Sequence, residues 1–122
     1  MKNKTLILNN IHITDSEQYS TIFFEFELDG KHHSLWYKID KKYKKYLCDD
    51  RCDSFVVSFL IFAMKNSIDI QSSYQISEKL YYQLTYHLIP QIFITNKDKC
   101  SKIYIIAEII YSFLCLNDKF VR

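Results

Sequence analysis

Cys48 and Cys52 stand four residues apart, close enough to share a helix face, and with Cys100, Cys115 or the adjacent His32 and His33 they supply the residue types of a zinc site. Their spacing argues against one. Paired C-x2-C knuckles are absent, and Cys115 is embedded in the apolar run Phe113-Leu114-Cys115-Leu116, where a small thiol is an ordinary core residue. The run Lys41-Lys42-Tyr43-Lys44-Lys45-Tyr46 interleaves cations with aromatic rings, the combination with which single-strand binders neutralise phosphates and stack on bases. Tyr43, Tyr46 and Leu47 also recur at i, i+3 and i+4, which predicts a helical turn with its rings toward the core and its lysines in water.

Other reactive side chains have simpler readings. Glu78 beside Tyr81 and Tyr82 has the groups for proton exchange, but a capped helix with aromatic packing accounts for all three. The dense charges of Asp49, Asp50, Arg51 and Asp53 precede the first long helix, where capping explains them. His32 and His33 follow a turn, and His12 and His87 lie in apolar surroundings without a Ser or Cys arrangement to activate. Nucleotide loops such as GxGxxG need several glycines for close backbone approach, and Gly30 is the single glycine of the chain. The residues thus assign no catalytic group, no metal ligand and no cofactor site.

Positioning any of these residues falls to one domain spanning 1–122, a length that buries a sizeable core without staples. Hydrophobic residues make up 48% and aromatics 16%, enough apolar surface to offset the entropy of ordering the chain. One glycine and one proline argue against a barrel or sandwich of many tight turns, and regular elements should dominate. A formal charge of +2 selects no ligand class by itself. The longest apolar stretch, Phe55 to Met64, is about half of the roughly 20 residues that cross a bilayer, and Leu6 to Leu8 is too short for a secretory core. The expectation is a cytoplasmic protein with reduced cysteines and no membrane span.

Residues 5–13 alternate as a short strand with a bend. Ser20 to Leu28 and Lys31 to Ile39 flank Asp29-Gly30, which takes the positive φ angles of a two-residue hairpin turn. Trp36 points away from the apolar face of its strand and should be covered by a later helix. The first long helix should open at Asp53 or Ser54 and stop at Asn66, followed by a short strand at Ile68 to Gln71. Ser77 caps a second helix, which Pro90 should bend or end near Ile89. Ile103 to Ala107 reads as a strand and Ala107 to Leu116 as a last helix. The fold class is α+β: a small antiparallel sheet with an N-terminal β-hairpin, covered by two to three helices.

Leu35-Trp36-Tyr37, Tyr46-Leu47, Arg51-Cys52-Asp53-Ser54-Phe55 and the string from Ile76 to Leu84 resemble the N-terminal region of uncharacterised bacterial proteins. Those proteins are related to asparagine synthase and 7-cyano-7-deazaguanine synthase, in the PP-loop ATP pyrophosphatase superfamily, and the resemblance covers about residues 20–110. It implies a region that precedes the phosphate-binding loop SGGxDS. No such loop occurs in this chain, so no catalytic residue of that family carries over. The resemblance implies a truncated or free-standing accessory domain. Its expected contact with a protein partner or a second copy is the C-terminal helix around Tyr111, Phe113 and Phe120. The alternative is a small single-stranded nucleic-acid binder using Lys41, Lys42, Lys44 and Lys45.

Overall fold

A computed structural model describes residues 3–110. Strand β1 (Lys4–Asp15) is followed by β2 (Tyr19–Leu28) and β3 (Lys31–Asp40), then by a 3-10 helix at Lys41–Tyr46. Helix α1 (Asp53–Lys65), strand β4 (Ile68–Ser72) and the short strand β5 (Ile76–Ser77) come next. Helix α2 (Glu78–Gln83), a π-helical turn (Leu84–Leu88), α3 (Ile89–Thr95), β6 (Ile105–Ile106) and β7 (Ile109–Ile110) complete the described chain.

The hairpin forms where Asp29-Gly30 predicts it. Asp29 has φ +55° and Gly30 φ +76°, the left-handed values that bring β2 and β3 into a ladder from Tyr19↔Asp40 to Leu28↔Lys31. The main sheet has the order β3-β2-β1-β4-β6. Its three long strands are antiparallel neighbours, and β4 and β6 extend it as parallel strands beyond β1. A separate two-stranded pair joins β5 to β7.

The bend expected in the first strand is a β-bulge between Leu8 and Asn10. Strict alternation from Leu6 and Leu8 would turn Asn10 and His12 inward. One extra residue resets the phase, so Leu6, Leu8 and Ile11 are all buried while Asn10 and His12 face the other side. Ile11 lies past the end of the β1–β4 pairing at Leu8↔Ser72, and its N–H donates to the Tyr74 hydroxyl at 2.9 Å.

Helix α1 and the helical run from α2 to α3 pack on one face of the sheet. Ile22, Phe24 and Phe26 of β2 meet Phe55, Val56 and Leu60 of α1 in a core completed by Ile68, Ile70, Leu84 and Ile89. Phe55 is the hub: its ring centroid lies 5.6 Å from Phe24, 5.6 Å from Phe26 and 4.8 Å from Phe59. Among the described residues the opposite face carries no helix. There Thr5, Ile7, His12, Phe23, Glu25 and Trp36 are exposed or half-buried.

Several local expectations are corrected. Trp36 is uncovered, 55% exposed, because the helices pack on the face behind it. Tyr43 and Tyr46 point into solvent and the 3-10 helix buries no residue, since six residues at the sheet end have no facing layer to pack on. Helix α1 does open at Asp53, but without the expected cap: the preceding Cys52 makes no side-chain cap, and the Asp53 carboxylate accepts the Ser77 N–H at 2.9 Å, tying the start of α1 to the start of α2.

Asn66 does end α1, with a left-handed Ser67 after it, and Ser77 does cap α2 through the Leu80 N–H. Pro90 does not end the second helical run. The Ile89 N–H reaches back five residues to the Leu84 carbonyl, widening the turn ahead of the proline, and α3 continues with Pro90 in its first turn. Ile109–Ile110 is a strand on β5 rather than helix, and the rest of the expected C-terminal helix lies outside the described residues.

Candidate functional site

The lysine and tyrosine run forms a ridge at the end of β3. Asp40 caps it by accepting the Lys42 N–H, and the Lys41 N–H donates to the Gln18 carbonyl, which pins its start to the β1–β2 turn. Tyr43 is 47% and Tyr46 72% exposed, and the Lys42 and Lys45 ammonium groups lie 5.1 and 5.3 Å from those ring centroids. Lys44 turns back to Asp15, 2.6 Å from its carboxylate. That bond, with a 2.7 Å hydrogen bond donated by Ser20, holds the Asp15 carboxyl below its ordinary range. Of the four lysines expected to act together, Lys42 and Lys45 therefore present cation–ring pairs to solvent, while Lys44 braces the fold.

A second aromatic surface escaped the sequence reading. His12 pairs with Phe23 and Phe23 with Trp36 across β1, β2 and β3, making one row on the helix-free face. The His12 and Phe23 rings stack at 4.8 Å with 12° between their planes. One row toward the ridge, the Lys38 ammonium sits 4.9 Å from the centroid of Tyr19. One row the other way, Asn10, Glu25 and Ser34, with His32 and His33, line a cavity of about 470 Å³. Asn10 Nδ2 donates to Glu25 at 3.0 Å, and the same carboxylate lies 3.7 Å from His12 Nδ1. The alternating pattern of β2 and β3 marked this face, but it gave no sign that helices would leave it bare.

The helix layer holds a third surface. Val57 and Leu60 of α1 face Leu80, Leu84 and Leu88 across a groove of about 420 Å³, with Gln83, His87 and Gln91 along its lip. Val57 is 55% and Leu88 43% exposed, and Ile61, Phe62 and Ile94 are also turned outward on this layer. Comparison with family models, with curated proteins and with solved structures found no match to this chain.

Cys48 and Cys52 sit in unlike surroundings. Cys52 is fully buried, and burial pushes its thiol up to about 11 against the partial relief of a hydrogen bond with Ser72. Cys48 is exposed and donates to Asp50 at 2.8 Å; partial burial raises its thiol, and the Asp50 carboxylate adds to the effect. Neither thiol is thereby activated as a nucleophile. Among the described residues no three His, Cys, Asp or Glu side chains converge as a metal shell would require, and no helix is long and apolar enough to cross a membrane. Tyr111, Phe113 and Phe120 lie outside the described residues.

Proposed function

We propose that this chain acts by binding rather than by catalysis, as an accessory domain whose helix-layer groove docks on a second copy of itself or a protein partner. The observation that carries the reading is the apolar surface around the groove. Single exposed apolar side chains are ordinary, but Val57 and Leu88 are exposed on one concave channel that Leu60, Leu80 and Leu84 also line, as surfaces that receive a helix do.

Thermal unfolding tests the non-catalytic part. Millimolar ATP is expected to leave the Tm unchanged, and a clear upward shift would mean a nucleotide site in the folded protein. Charge substitutions test the groove: Val57→Glu and Leu88→Glu lie at exposed positions and should abolish association without lowering the Tm by more than a few degrees. Association that survives both substitutions would move the contact elsewhere.

A second reading is favoured by the exposure of Tyr43 and Tyr46. Outward rings flanked by lysines are what a single nucleic-acid strand needs, with bases stacked and phosphates neutralised. Affinity through this ridge should fall steeply with salt and disappear when Lys42 and Lys45 are replaced by glutamate.

A further inference from the structure

We propose that the helix-free face of the sheet is a base-stacking platform for single-stranded RNA, formed by the row His12, Phe23 and Trp36; this rests on the ridge reading and extends it to a second surface. Three observations point to that ligand. The row is continuous across three strands, and its outer member Trp36 is 55% exposed with no helix over it among the described residues. A row of flat rings on a sheet offers stacking surface to successive bases, whereas a protein core would demand interdigitating aliphatic side chains.

The second observation is charge. Lys38 and Tyr19 lie between Trp36 and the end of β3, where Lys41 and Lys42 begin the ridge. A strand leaving the platform in that direction meets cations for its phosphates. On the other side of the row stand Glu25 and Glu27, while Asp29 is ion-paired with Lys4 at 3.3 Å, so the side that offers unpaired cations beside the rings is that of the ridge.

The third is the polar row beside the rings. The bulge in β1 turns Asn10 onto this face, where Asn10, Glu25 and Ser34 line the 470 Å³ cavity. A carboxylate there disfavours phosphate but accepts a hydrogen bond from a hydroxyl. The ribose 2′-hydroxyl is the donor that RNA has and DNA lacks. The ligand is accordingly assigned as RNA.

Trp36 is the only tryptophan, so its fluorescence reports on the platform alone. Titration of the full chain with oligouridylate is expected to quench that emission, with the affinity also read by anisotropy of a labelled strand. Trp36→Ala should weaken binding about tenfold or more and Trp36→Phe should restore most of it, in line with the worth of one base–ring stack. If the strand binds, is lost on Lys42→Glu with Lys45→Glu, yet leaves emission and the Trp36→Ala affinity unchanged, the platform is refuted while the ridge reading stands. Absence of any binding overturns both. Equal affinity for the deoxy strand of the same length overturns the assignment to RNA.

Discussion

Truncating Phe55 to alanine tests whether the hairpin and α1 are one cooperative unit. The ring is fully buried and stands within stacking distance of Phe24, Phe26 and Phe59, so its removal forfeits transfer energy and leaves a cavity between the sheet and the helix. Buried Phe→Ala changes cost about 3–5 kcal/mol, a large part of the roughly 5–15 kcal/mol that holds a domain of this kind together. Phe62, two turns further along the same helix, is 45% exposed and has the Phe59 ring edge-on at 6.0 Å. Phe62→Ala should cost no more than about 1 kcal/mol. Urea unfolding followed by far-UV circular dichroism and by Trp36 emission gives both values on one scale. Comparable costs for Phe55 and Phe62, or a Phe55→Ala cost below about 1.5 kcal/mol, would refute the packing of α1 on β2.

Three further outcomes follow from local geometry. Gly30→Ala should cost about 1 kcal/mol in urea unfolding: an added methyl meets nothing within 4 Å, so the loss is confined to forcing an L side chain to φ +76°. Burial pushes the folded Cys52 thiol up to about 11 from its ordinary 9.0, so the unfolded chain releases the proton first; stability should hold below pH 9 and fall between pH 9 and 11, by at most about 3 kcal/mol. Cys52→Ala should flatten that segment of the pH–stability curve. Lys44→Ala should bring the Asp15 carboxyl back up toward its ordinary value, measurable by NMR titration, and an unchanged titration would remove Lys44 as the cause of its depression.

The hairpin, the stop of α1 at Asn66 and the Ser77 cap were legible because each depends on a few adjacent residues whose backbone chemistry admits one solution. What failed depended on the third dimension. The i, i+3, i+4 spacing of Tyr43, Tyr46 and Leu47 is right for a helix face, but whether that face meets a core depends on where the sheet ends. Leu47, the next residue, does pack on the core while both rings do not. Pro90 was read by its local clash, and the π-helical turn before it absorbs that clash in a way no residue type advertises. The aromatic row His12, Phe23 and Trp36 joins three strands through a bulge, so it exists only in the register of the folded sheet.

The molar mass of the full chain in solution, followed by light scattering from low micromolar to submillimolar concentration, bears most directly on the claim that the groove is a docking surface. The wild type should rise above its 14.7 kDa monomer mass with concentration, and Val57→Glu and Leu88→Glu should hold it there. A wild-type chain that stays monomeric throughout, or one whose assembly ignores both substitutions, would contradict self-association through the groove.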